Sequence, residues 1–218
     1  MKSFIFLLII NFLLFSCVQE PVENDLGGYI NEEDYQEEFM TLDTDEIEVN
    51  LLIDTSFIDL ANRLIDLLAE NNLPEFFMNI HPNKGCTISP YTFIEKTSVN
   101  KTLEGYKSCL DTDKTLFWGD YDGSGEPIDM TIKDYFKTFV YDFNYKTESA
   151  EIHINKSLSH SNTLNNMSDI FPNADFIEFY QDGSAEYEGM DWSSLLFYIE
   201  KYNNKYYLVA IAHNQWTI

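Results

Sequence analysis

Residues 191–218 read DWSSLLFYIEKYNNKYYLVAIAHNQWTI, two runs rich in Leu, Ile, Val, Phe and Tyr around Asn203-Asn204. Paired asparagines tolerate the positive φ angles of a two-residue turn, so the stretch predicts a β-hairpin. A regular register sets Leu195, Phe197 and Ile199 opposite Ala212, Ala210 and Leu208 on one face, with Leu196 and Tyr198 opposite Ile211 and Val209 on the other. Both faces are apolar, which places the hairpin in the middle of a sheet. The same register puts Ser193 opposite Asn214 and Asp191 opposite Trp216, on the face of Phe197, Ala210 and Ala212 that should pack toward helices. Small alanines with polar groups at the end of an apolar face suit the mouth of a ligand pocket. The alternative is that Trp216 plugs the core and Asp191 caps a turn. His213 and Gln215 then point the other way, toward solvent or the partner of a homodimer.

Upstream, the strongest helical pattern runs from Asp54 to Asn71, with Phe57, Leu60, Ala61, Leu64, Leu67 and Leu68 on one stripe and Ser56 with Asp59 as a capping pair. Pro74 opens a short second helix through Ile80. His81 to Gly85 is a turn. Cys86 to Ile94 is a strand broken at Ser89-Pro90, which suggests an edge or a bend. Residues 95–116 are polar and carry no clear period. Thr131 with Asp134 caps a short helix, Ile152 and Ile154 mark a short strand, Asp175 to Gln181 another, and residues 157–173 a long loop. Helices first and antiparallel strands last make residues 51–218 a single α+β domain, helices packed on a curved antiparallel sheet. The element order resembles the cone of nuclear transport factor 2, with a cystatin-like sheet as the alternative. That fold hosts enzymes and non-enzymes alike.

The N-terminus is read separately. A basic start, an apolar run from Phe4 to Phe15 interrupted only by Asn11, and Ser16-Cys17 describe a signal peptide over residues 1–16. Leu14-Phe15-Ser16-Cys17 resembles the bacterial lipobox, which implies that Cys17 is lipidated and anchors the chain to a membrane. Residues 17–50 form an acidic tether: from Val18 to Asn50 there are twelve acidic residues and no Lys or Arg. Glu20, Glu23 and Asp25 resemble a signal for export to the cell surface, so the address is the periplasmic or the cell-surface side of the outer membrane. A net charge of −24 repels phosphate backbones, which excludes nucleic-acid partners.

Several short motifs run through the domain: His81-Pro82 with Lys84-Gly85, Ser89-Pro90-Tyr91, Trp118-Gly119 with Tyr121 to Ile128, Phe139-Val140-Tyr141-Asp142, Gly189-Met190-Asp191-Trp192 and Gln215-Trp216-Thr217-Ile218. As a set they resemble an uncharacterised family of bacterial exported proteins and lipoproteins, which implies an envelope address and no particular activity.

Asp120-Tyr121-Asp122-Gly123-Ser124-Gly125 matches the first half of a calcium loop, with Asp120, Asp122 and Ser124 as oxygen ligands. The second half departs from the pattern, since Thr131 stands where a bidentate Glu belongs. A glycine-rich acidic turn reads the same residues without a metal. Cys86 and Cys109 could pair as a disulfide in an oxidising compartment, or Cys86 could be a small buried residue. The histidines have no metal-ligand spacing and no nucleophile motif occurs, so no catalytic residue can be named. Two functions remain: a non-catalytic domain binding a small molecule, glycan or partner protein, or an enzyme using a conical pocket for acid/base chemistry.

Overall fold

The structure, a computed structural model, describes residues 55–158 and 164–216. The signal peptide, Cys17, the acidic tether, Thr217 and Ile218 therefore lie outside the described residues. The described residues are α+β: a six-stranded, mostly antiparallel sheet with most of the helices on one face and the short helix Met167–Ile170 on the other. In chain order the elements are α1 (Ser56–Ala69), α2 (Leu73–Phe77), β1 (Cys86–Ser89), β2 (Val99–Lys101), α3 (Leu103–Thr112), β3 (Thr115–Asp120), β4 (Pro127–Thr131), α4 (Ile132–Tyr135), β5 (Ala150–Ile154), α5 (Met167–Ile170), β6 (Asp175–Gln181), β7 (Ser193–Tyr202) and β8 (Lys205–Gln215). A π-helical turn, Phe136–Val140, continues α4. Strand order across the large sheet is β2-β1-β8-β7-β6-β5, and β3 with β4 makes a separate hairpin. The expected all-antiparallel sheet needs one correction, because β1 runs parallel to β8. Among the described residues no helix is long and apolar enough to cross a membrane.

The helix α1 forms where its apolar period places it, burying Phe57, Ala61, Leu64, Ile65, Leu67 and Leu68. The N-cap position falls to Thr55 rather than Ser56, and Thr55 makes no side-chain bond there. Asn72 does cap α2, accepting from the Glu75 N–H. The predicted Thr131–Asp134 cap is present, with the Asp134 N–H donating to Thr131 Oγ1 at 3.2 Å and that hydroxyl donating to Asp134 Oδ2 at 2.7 Å. Pro90 ends β1, which lies one strand in from the edge rather than at it.

The hairpin turn at Asn203-Asn204 has positive φ at both residues, 49° and 60°, and the expected register holds from Tyr202↔Lys205 to Ile199↔Leu208. There it shifts by one: Tyr198 pairs with Ala210, leaving Val209 as the extra residue of a β-bulge. A one-residue slip sends every later side chain of β8 to the other face. Ile211 and His213 therefore turn toward the helices beside Phe197 and Leu195, while Ala210, Ala212 and Asn214 turn away beside Tyr198, Leu196 and Ser194. The helix-side core gathers Leu195, Phe197, Ile199, Leu208 and Ile211 with the helices. A second, smaller core on the opposite face packs Leu196, Tyr198, Val209, Ala210 and Ala212 under Met167.

The alanines thus leave room for Met167 and the segment around it, not for a ligand beneath the helices. That segment is fastened across the face: Asn166 Oδ1 accepts from the Ile94 N–H and its Nδ2 donates to the Ile94 carbonyl. Ala210→Phe should overpack this core and cost ~1–3 kcal/mol of unfolding free energy, read by urea denaturation. An unchanged midpoint would mean that Met167 does not close this face.

Candidate functional site

The bulge has a chemical result. By turning His213 inward it brings the imidazole to Asp142, Tyr145 and Ser193 at the end of the helix-side core. Asp142 follows the π-helical turn, whose wide closure is marked by the Tyr141 N–H donating to the Phe136 carbonyl at 2.7 Å. The Asp142 backbone lies at the surface, yet its side chain is only 21% exposed because the carboxylate points in. Ser193 opens β7 on the same face as Leu195 and Phe197, directly across from Gln215. Tyr145 closes the loop after Asp142 and is buried.

The four side chains are tightly connected. The Tyr145 hydroxyl donates to Asp142 Oδ1 at 2.8 Å and lies 2.8 Å from Ser193 Oγ. Ser193 Oγ donates to Asp142 Oδ2 at 2.8 Å. His213 Nε2 lies 3.1 Å from both Asp142 Oδ2 and Ser193 Oγ. An ionised carboxylate only accepts, so Nε2 carries the proton that faces it. Burial alone would raise the Asp142 carboxyl. The hydrogen bond and electrostatic attraction of His213, with the Ser193 and Tyr145 bonds, outweigh burial and hold it below its ordinary value. Burial, and then the neighbouring Asp142 charge, pushes the Tyr145 hydroxyl well up.

Ser, His and Asp stand together here, but they are not wired for nucleophilic attack. A serine nucleophile needs one imidazole nitrogen free to take its proton while a carboxylate holds the other. Serine and carboxylate here share the same nitrogen, and the serine proton is aimed at Asp142. Among the described residues the buried His213 Nδ1 has no hydrogen-bond partner. Its ring instead meets the Phe139 ring at 5.9 Å, near perpendicular. Outward from the cluster, the Tyr141 and Phe143 rings each stand 6.0 Å from Tyr145, and Phe143 is 38% exposed.

The four residues expected at a pocket mouth are split by the bulge. Only Ser193 lies at the helix-side face. Asn214 is fully buried on the opposite face, paired with Ser194. Trp216 is 40% exposed. Asp191 is exposed and ties down a loop, its carboxylate accepting from the Ser184 N–H at 2.6 Å and hydroxyl at 2.8 Å; the backbone bond in particular holds its carboxyl low. His213, expected toward solvent or a partner, is 1% exposed and belongs to the cluster.

Asp120 ends β3, opposite Pro127, and Asp122 and Ser124 lie in the turn that follows. There Asp122 Oδ1 accepts from the Gly123 N–H and Ser124 Oγ from the Glu126 N–H, as in an acidic capping turn. Among the described residues no three His, Cys, Asp or Glu side chains are grouped to hold a metal ion. Cys86 and Cys109 are free buried thiols. A separate groove of about 310 Å³ opens between α1 and the hairpin turn, with Asp59, Arg63, Asn79, Lys205 and Tyr206 on its walls. At ~3.3 Å per residue along β8 it is roughly 25 Å from His213 and does not serve the cluster.

Asp142, Tyr145 and His213 were not legible as a group. The available hint was size: the regular register points Ile211 away from the helices and two alanines toward them, and a one-residue shift exchanges these.

A carboxyl held below its unfolded value, about 3.9, adds stability above that value and loses it as pH falls through the folded value. Asp142→Asn should therefore lose less stability than the parent between about pH 6 and about pH 3, measured by urea midpoints at each pH. Equal losses would mean that the cluster does not hold the charged carboxylate. No family model matches the chain and no curated protein is significantly similar to it.

Proposed function

We propose that the chain is a lipid-anchored protein of the bacterial cell envelope whose folded domain binds a glycan or similar hydroxyl-rich ligand without transforming it. The observation that carries the binding reading is the surround of Asp142. Its carboxylate is kept charged and fixed from within by Tyr145, Ser193 and His213, while Oδ1 accepts one bond only among the described residues. The Tyr141 and Phe143 rings flank Tyr145, each 6.0 Å from its ring, and Phe143 is 38% exposed. A fixed carboxylate acceptor with a partly exposed aromatic ring in the same loop suits sugar hydroxyls and the apolar face of a sugar ring. The anchor rests on the signal peptide and on Cys17, the address on the resemblance to exported lipoproteins. The succession of long helix, short helix, early strand and final hairpin supports a cone like that of nuclear transport factor 2, with a cystatin-like sheet as the alternative.

One observation favours the second reading, acid/base catalysis: among the described residues His213 leaves Nδ1 unpartnered in a buried site beside a carboxylate. Conversion of a retained ligand to a product of different mass would establish it.

Cys17→Ser should move the protein from the detergent phase to the aqueous phase; equal partitioning of both chains would remove the lipid anchor. For the site, a neutral oligosaccharide panel is screened by thermal shift, since a ligand of the native state raises its melting temperature. Phe143→Ala should weaken a hit at least about tenfold, a loss of ~1.4 kcal/mol of binding, with unliganded stability near the parent's. A panel without any shift, or a hit indifferent to Phe143, would overturn the glycan reading.

A further inference from the structure

Among the described residues the sheet ends at β5, and β5 is an unusual edge. Natural edges are commonly blunted with lysine, proline or a bulge, because an open strand invites pairing with another chain. Ala150-Glu151-Ile152-His153-Ile154 carries none of these, and its five residues pair with β6 without a register shift. Ile152 and Ile154 remain 52% and 44% exposed although they share the face of Phe179 and Ile177, which are buried. The helix layer stops short of this strand.

Main-chain directions follow from the ladder. The Asn155 N–H donates to the Phe176 carbonyl, so residues 151, 153 and 155 turn their peptide groups toward β6. Ile152 and Ile154 therefore turn theirs outward, while the Ala150 N–H is taken by the Thr147 carbonyl. An antiparallel copy can meet this edge about a two-fold axis at residue 151, 152 or 153. An axis at Glu151 sets that carboxylate against its own copy, and one at His153 stacks two imidazoles. An axis at Ile152 sets Glu151 opposite the partner's His153 on one face. On the other face it sets Ile152 opposite the partner's Ile152, and Ala150 opposite the partner's Ile154. Within one chain His153 Nε2 already lies 3.1 Å from Glu151 Oε2, so imidazole and carboxylate are side by side on that face.

We propose that β5 is a self-complementary docking edge, and that two copies of this chain join through it about an axis at Ile152 into one continuous sheet. Cross-strand isoleucines and acid–imidazole pairs stabilise such a contact, and like charges opposite each other would oppose any other register. A contact of five residues per chain is small beside the ~1,600 Å² of a standard stable interface, so the dimer is weak and concentration-dependent.

The test uses the full chain carrying Cys17→Ser, which leaves only the two buried cysteines. Sedimentation velocity should show the mass rising from monomer to dimer with concentration, and Ile152→Lys should weaken association at least about tenfold. Ile152 is half exposed, so the substitution should leave the circular dichroism and melting temperature unchanged. In a parallel arm, Ile152→Cys should be trapped as a dimer by a short bismaleimide, whereas Ile170→Cys, 43% exposed on α5, should not. A monomer at every concentration, a dimer indifferent to Ile152→Lys, or equal trapping of both thiols would overturn the proposal. Should Ile152→Lys disturb the fold, the trapping contrast alone decides.

Discussion

Val209, unpaired between Leu208 and Ala210, sets which half of β8 faces the helices. Up to Leu208 the strand follows the alternation that its turn imposes, and beyond Val209 it follows the opposite one. The gain is visible in the packing. Ile211 fills the helix-side core beside Phe197, where a regular strand would have offered an alanine. The alanines, now on the far side, lie close enough to the sheet for Met167 to settle over them. One inserted residue thus serves two cores, and it also decides the position of the most connected polar group in the domain.

That polar group is held by mutual need. Ser193 and His213 are nearly inaccessible to water, so each must find a partner inside. Asp142 supplies both, at the cost of turning its carboxylate inward from a surface loop, and Tyr145 steadies it from the other side. The arrangement fastens the segment after the π-helical turn to the ends of β7 and β8. It also leaves Phe143 and Tyr141 at the rim with defined orientations, because both pack on a tyrosine that cannot move without breaking bonds to Asp142.

What the sequence revealed was whatever depends on near neighbours. The stripe of α1, the limits of β6 and the Thr131 cap are consequences of spacing within a few residues, and each is found in the structure. The helix α3 escaped notice because only Tyr106 and Cys109 of its ten residues are buried, too narrow a stripe to show a period. The parallel pairing of β1 with β8 joins residues more than a hundred positions apart, for which no local pattern exists. The bulge is the instructive case. Both faces of the hairpin are apolar, so a slip of one residue costs the pattern nothing visible, and the candidate pocket built on the regular register was divided between two faces by it.

The strand order carries a consequence for how the domain comes into being. β8 lies between β1, made early, and β7, made just before it, and so joins the two halves of the sheet. It is also the last of the described strands to be synthesised. Until it is in place, β1 and β2 have no sheet to join, and the helix-side core lacks Leu208 and Ile211. Closure of the core therefore waits on contacts between distant parts of the chain, which form slowly. A chain built in this order keeps its helix-side core open until the last described strand has been made, so its fold closes in one late step.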